Sequence, residues 1–416
     1  IVVFDASSGV GTVLLTGNTT VAQLDMALYT GTLSTDTSTN TFTSSGSFTV
    51  GPSATFLVAG SGTITVSGAA AVNAGGLLNW TTGATGSFQA FSLSGQWAFS
   101  GTVTALVTVA GAMTINTQGY FNVTTTSDSQ LLFTSSYANS SQSASWSINT
   151  HFAAYFRSTS NQTMTFAGAN LSGAEFSTCN FDTTLASGTV TYTMATRGLV
   201  CSGLLTVTDS AASTSVTLDT SASNLAVTAG GITIAAKGVL IGRASTINVQ
   251  GNFNTASGLS GQTCGAGTES GFQCGTSTVL VGFTGTITTT ASGGTPEFYN
   301  LTIGVGYTVT LANAIGISNV LTVNGTLSIA AVTVFLRNDN ATSASLVFGA
   351  SGAVTSGVTG GYIAYFSKAG TLEQIPAGTY TNVGLELTPN VVVAGDGYEY
   401  RLLGNATFYR VFLVPR

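Results

Sequence analysis

Thr63-Ile-Thr-Val66-Ser-Gly68 runs on through Val72 to Leu77, and the same order of residues returns three more times along the chain. Val109-Ala-Gly111 is followed by Ile115 and Phe121, Val227-Thr-Ala-Gly230 by Ile234 and Leu240, and Val323-Asn-Gly325 by Ile329 and Val334. The leading valines are 43, 118 and 96 residues apart, each near a multiple of about 22 to 24. Between these points lie short alternating segments rich in Val, Thr, Ile and Phe, such as Thr308-Val-Thr-Leu311. β-Branched residues at period two, broken by Gly and Asn, read as short strands. Short strands returning at a fixed interval predict one coil of a β-solenoid per interval. Gln23 to Tyr29 is the best helical candidate and covers barely two turns.

The composition agrees with that reading. Of 416 residues, only 6% are charged, 44% are hydrophobic and 52 are Gly. In a coil each strand bonds to the coil above and below, so backbone groups are satisfied without charged side chains. Thr, Ser and Asn can form ladders outside while Val, Ile and Phe stack inside. With net charge −6 and so few Lys and Arg, the chain lacks the cationic clusters that phosphate neutralisation requires, so no nucleic-acid partner is expected. No apolar run reaches the length of a membrane span. The opening Ile1-Val-Val-Phe4 has neither Met nor a signal-peptide pattern and reads as the start of a processed product.

Two resemblances refine the fold. In Phe166-Ala-Gly-Ala-Asn-Leu171-Ser-Gly-Ala-Glu-Phe176-Ser-Thr-Cys-Asn-Phe181, large apolar residues recur every five positions, with Ala169, Ala174 and Cys179 two places before the last three. This stretch resembles the pentapeptide-repeat pattern, which implies a right-handed β-helix with Leu171, Phe176 and Phe181 pointing inward. Residues 200 to 336 are similar to the repetitive β-helical surface proteins of prokaryotes, the adhesin-like and filamentous-haemagglutinin-like class. Phe298-Tyr-Asn-Leu-Thr-Ile303, then Thr308-Val-Thr-Leu311, then Leu321-Thr-Val-Asn-Gly-Thr326 carry most of that likeness. The expected architecture is an all-β, right-handed parallel β-helix over 51–367. An N-terminal cap with the first coils covers 1–50, and a smaller β cap or subunit-contact domain covers 368–416. That last segment holds 8 of the 24 charges: Lys368, Glu373, Glu386, Asp396, Glu399, Arg401, Arg410 and Arg416. The run Ile1, Val2, Val3, Phe4 is expected to form either a cap strand or a strand donated to a neighbouring subunit. Arg401, Tyr409, Arg410 and Phe412 are the expected contact residues at the other end.

Few residues invite chemistry. Cys179 and Cys201 are 22 residues apart, one coil on the proposed period. Equivalent positions in neighbouring coils lie ~4.8 Å apart, within reach of a disulfide. Cys264 and Cys274 flank a Gly-rich loop, so the expected bridges are Cys179–Cys201 and Cys264–Cys274, implying an oxidising compartment. Sequons begin at Asn18, Asn79, Asn122, Asn139, Asn161, Asn170, Asn300, Asn324, Asn340 and Asn405. Glycans there would supply the solvation that charges do not. His151, the only histidine, has no Asp or Cys nearby in sequence and reads as structural. Glu175 and Asp182 read as solvated residues on a coil face. The alternative is a pair lining a face, as in β-helical polysaccharide lyases and hydrolases, with Arg157, Arg197, Lys237 or Arg243 as base. Those four are isolated in sequence, and calcium-binding acidic clusters are lacking. No metal, cofactor or catalytic residue is therefore expected.

Aromatic residues crowd the stretch Phe88, Phe91, Trp97, Phe99, Tyr120, Phe121, Phe133, Tyr137, Trp146, Phe152, Tyr155 and Phe156. They read as a core stack in preference to an exposed sugar-binding strip. The expected function is structural: an extracellular β-solenoid subunit that assembles head to tail with copies of itself. A monomeric adhesin contacting glycans is the second reading, and a polysaccharide lyase or hydrolase the third.

Overall fold

The computed structural model describes residues 1–102, 104–171, 173–209, 214–235, 237–255, 271–289, 297–336, 344–357, 360–367, 372–389, 399–402, 407–408 and 410–413. The protein is all-β, and its parallel strands stack as a β-solenoid of about 15 turns. Among the described residues the only helical elements are two 3-10 turns, Ala6–Ser8 and Gly168–Asn170. The chain divides into two compact units, one built from residues up to 205 and one from residues beyond 217.

Coils of the first unit up to Val123 have three strand faces. The first face stacks Thr19–Val21, Phe42–Ser44, the leading half of Thr63–Val72, the leading half of Thr85–Leu93, Leu106–Val109, Ser129–Phe133 and Phe152–Ser158. The second stacks Val2–Val3, Leu24–Met26, Phe48–Val50, the trailing halves of the two long strands, Met113–Ile115 and Tyr137–Asn139. The third is a six-stranded sheet running from Thr12–Leu15 to Tyr120–Val123. The bend between the first two faces needs Gly68, because a Cβ there would come within 2.5 Å of the Gly46 backbone in the coil before.

The repeat read from sequence is a real register in this unit. Val66 pairs with Phe88 and Phe88 with Val109, so the 43-residue interval is two coils of one inward column. That column continues through Phe133, Phe156 and Phe181. In the second unit, Val323 falls in the column of Ile303, Val281, Val249 and Ala229. Ala229, not Val227, is thus the counterpart of Val323. Val227 stands two places before that position in its strand. Coil length also varies here, from 18 residues between Thr308 and Thr326 to 34 between Phe253 and Ile287. Described strands past residue 368 keep the parallel pairing: Val383–Pro389 lies beside Gly361–Ser367, and Arg410–Leu413 beside Val383–Pro389.

The aromatic run forms the core of the first unit. Trp80, Phe88, Phe91, Trp97, Phe99, Phe121, Phe133, Phe152 and Phe156 are fully or almost fully buried. Trp97 stacks on Phe91 with centroids 4.4 Å apart, and Phe156 stacks on Phe181 at 4.8 Å. Only Tyr120 and Tyr155 of the run sit at outward strand positions, half-buried. Leu171, Phe176 and Phe181 are buried, as the five-residue spacing implies. The square coil of five-residue faces is absent. Phe181 lies in the strand Thr178–Thr183, whose register partner is 25 residues away (Ala153 with Thr178), and Phe176 makes a single bridge to Cys201.

Candidate functional site

The residues with chemical potential are drawn together by the coil period. Asp128 and His151 are 23 residues apart and meet at 2.9 Å, so the acid missing from the neighbourhood of His151 in sequence stands one coil below it. Arg157 Nε donates to Asp182 Oδ2 at 3.0 Å across 25 residues. Arg243 grips Asp219 with two hydrogen bonds, at 2.5 and 2.6 Å, across 24 residues. Arg157 and Arg243, which look isolated along the chain, each face an acid one coil away. Arg197 reaches the Ala167 carbonyl at 3.5 Å and donates to the Asn170 side-chain oxygen. Lys237 is exposed.

The expectation that Glu175 and Asp182 are solvated coil-face residues is corrected. Glu175 is 0% exposed and Asp182 4%. Glu175 lies in the segment between the 3-10 turn and the strand Thr178–Thr183, and that segment folds over the Phe-lined interior. Its Oε1 accepts from the Tyr137 hydroxyl at 2.8 Å and from Asn139 Nδ2 at 2.7 Å, and its Oε2 accepts from the Ala167 N–H at 3.1 Å. Burial pushes the carboxyl up to about 7, opposed by the hydrogen bonds from Tyr137, Asn139 and the Ala167 and Gly168 backbone. Burial and the facing carboxyl hold the Tyr137 hydroxyl well above its ordinary range, so it stays a donor. Asp182 accepts from Arg157 and from the Thr183 N–H, while its carbonyl takes the Tyr192 hydroxyl at 2.6 Å. Glu175 is consumed by the interior, whereas Asp182, next to inward Phe181, stands covered on the outer side of its strand, paired with Arg157 in the coil before. Nothing in the sequence announced Tyr137 and Asn139 as partners, since they lie 38 and 36 residues before Glu175.

Asn139 is also corrected as a glycan acceptor. It is 1% exposed, and the amide nitrogen that would carry the sugar donates to Glu175 and Tyr137. Asn18, Asn161 and Asn170 are exposed, and Asn79, Asn122, Asn300 and Asn324 are half-buried. Asn340 and Asn405 lie outside the described residues. Cys179 and Cys201 are joined in a disulfide with Cα atoms 6.3 Å apart. Cys274 is buried and disulfide-bonded, and Cys264 lies outside the described residues. Closing a loop of 22 residues is worth about 3 kcal/mol in unfolded-chain entropy. The double variant Cys179→Ser, Cys201→Ser should therefore unfold at a clearly lower guanidinium midpoint. An unchanged midpoint would show that the bridge adds nothing to the stacked coils around it.

Residues Val2–Val3 pair in register with Leu24–Asp25 of their own chain. Phe4 packs on Tyr29 with centroids 5.2 Å apart. Among the described residues, the first-coil strands Val2–Val3, Thr12–Leu15 and Thr19–Val21 are paired on one side only. Around that edge stand Ile1, Val2, Val3, Val10 and Leu14, with exposures from 37% to 80%. In the last described strand Arg410 and Val411 are exposed. Arg401 lies in the strand Glu399–Leu402, Phe412 lies in Arg410–Leu413, and Tyr409 is outside the described residues. Among the described residues no three His, Cys, Asp or Glu are grouped to hold a metal ion, and no helix is long and apolar enough to cross a membrane.

Compared with known proteins, the chain matches no family model, no curated protein and no solved structure.

Proposed function

We propose that this protein is an extracellular structural subunit, a β-solenoid that builds a cell-surface filament, sheath or adhesive fibre by adding copies end to end. The observation that supports the reading is the run of parallel strands Val2–Val3, Thr12–Leu15 and Thr19–Val21, each paired on one side among the described residues, beside five exposed aliphatic side chains. Residues 1–21 carry no Lys or Pro, two of the residues with which natural sheets block pairing at an edge. A strand of like polarity from another copy completes it by extending the parallel ladder. Such a heterologous contact propagates as an open polymer where it does not close into a ring. Because Val2–Val3 is already bound within its own coil, the contact needs docking of edges and no exchange of strands.

Buried disulfides accord with an oxidising, extracellular setting, and the exposed sequons with a glycan coat that solvates a surface poor in charge. Catalysis forms no part of the proposal. The test is negative-stain imaging and light scattering of the protein beside Val3→Lys, Leu14→Lys. The parent should form polymers, and the variant should stay monomeric with unchanged circular dichroism and thermal midpoint. Polymers of equal length in the variant, or a parent that stays monomeric at every concentration, would defeat this reading.

A further inference from the structure

Each unit carries a second regular surface that the end contact does not use. On the first face of the first unit, outward positions stack in register as Thr20, Thr43, Thr65, Ser87 and Thr108. A second column two residues earlier holds Asn18, Thr41, Thr63 and Thr85 before it reaches Leu106. The second unit repeats the arrangement. Thr286, Thr310, Ser328, Thr355 and Thr381 form one column, and Thr308, Thr326, Ala353 and Thr379 the other. The inward residues between them, such as Phe42, Ile64, Val309, Leu327 and Val354, are buried. The Thr-x-Thr pattern is thus a pair of outward columns and not chance abundance of Thr.

Three properties of these columns bear on what covers them. They contain no charged residue, in a chain whose net charge of −6 would otherwise oppose contact between copies. Their side chains are short and mostly β-branched, so each holds few rotamers and little entropy is lost on contact. Their pitch is that of the coil, ~4.8 Å, with ~7 Å between columns, so one ladder matches another ladder of this chain at every step. Along one column the Thr63 and Thr85 hydroxyls bond to each other at 3.0 Å. Sheets bearing identical small side chains at this pitch mate face to face.

We infer that the two Thr ladders are lateral contact surfaces for a second copy of this chain, so that polymers lie side by side. The inference rests on the end-to-end reading for its strength. Five coils give a strip of roughly 250 Å² per copy, well under the ~800 Å² per partner of a stable complex. A single pair of ladders is therefore weak, and a polymer that repeats the strip gains by multivalency.

The test compares the parent with Thr65→Lys, Thr310→Lys, which puts one cation in the middle of each ladder, and with Thr65→Ser, Thr310→Ser. Polymers of the parent and the serine variant should align into bundles, and the lysine variant should give single filaments of equal length, with at least a tenfold smaller bundled fraction. Bundles persisting in the lysine variant, or parent filaments that never align, overturn the inference. If the parent does not polymerise, the end-to-end reading fails by itself. The ladders are then read by sedimentation equilibrium at high monomer concentration, where weak self-association should be present in the parent and absent from the lysine variant. Parent monomers that show none overturn it, as does parent protein that adsorbs to microcrystalline cellulose or chitin through these threonines without self-association. Unchanged thermal midpoints across the variants separate either outcome from misfolding.

Discussion

Replacing Glu175 by leucine is expected to destabilise the first unit by at least about 3 kcal/mol near pH 5, because three donors are orphaned in a dry core. The Tyr137 hydroxyl, Asn139 Nδ2 and the Ala167 N–H all point at this carboxyl, and none has water to turn to. Glutamine is no rescue. Its oxygen can take Tyr137 and Asn139, but its amide then confronts the Ala167 N–H, for a cost of about 1–3 kcal/mol. The dependence on pH has a definite sign. Burial lifts the folded-state value from the ordinary 4.5 to about 7, so the folded protein holds this proton more tightly than the unfolded chain. The stabilisation is complete below about pH 4.5, falls as pH rises to about 7, and amounts to about 3 kcal/mol over that window. Leucine cannot titrate. The gap between parent and Glu175→Leu should therefore be widest near pH 5 and narrower by about 3 kcal/mol at pH 8. Unfolding midpoints at the two pH values measure this, and a gap that stays constant would show that Glu175 does not change its proton on unfolding.

Trp97→Ala should cost about 3–5 kcal/mol, the loss expected for a fully buried indole whose cavity its neighbours only partly refill. Trp97 stacks on Phe91 and touches Phe88, Phe99, Phe121 and Trp80, all within 6.3 Å by ring centroid. Its Nε1 is buried without a hydrogen-bond partner, whereas Trp80 Nε1 donates to the Ala84 carbonyl at 3.1 Å. Phenylalanine should consequently be tolerated at 97 to within about 1 kcal/mol, since it keeps a ring and removes an orphaned donor. At 80 the same change should cost more, because it strands a buried carbonyl. Thermal unfolding of Trp97→Ala, Trp97→Phe and Trp80→Phe checks the order. Were the aromatic run a sugar-binding strip, Trp97→Ala would leave stability alone, and an unchanged midpoint would reopen that possibility.

The fold was legible in the sequence to the extent that each coil keeps its own inward column. Val66 and Val109 sit two coils apart in one such column, and the Cys179–Cys201 bridge forms as the spacing suggests, although the register partner of Cys201 is Phe176. Legibility failed where coil length changes. Val227 stands two places from the position its motif suggests, and the five-residue spacing of Leu171, Phe176 and Phe181 marks inward aim without the square coil it resembles. The interior polar node was hidden for a different reason. Glu175 meets Tyr137 and Asn139 across more than one coil, through a segment that leaves the strand ladder. No fixed interval connects those residues. The polar pairs between coils, by contrast, could have been found: Asp128 with His151, Arg157 with Asp182 and Asp219 with Arg243 all fall 23 to 25 residues apart.

The spread of coil lengths, from 18 to 34 residues, leaves the inward columns in register on either side. Register is fixed strand by strand, so length added between strands is not transmitted to the next rung. Lineages carrying such a chain can lengthen, shorten or diversify what they show their surroundings while the scaffold underneath stays constant.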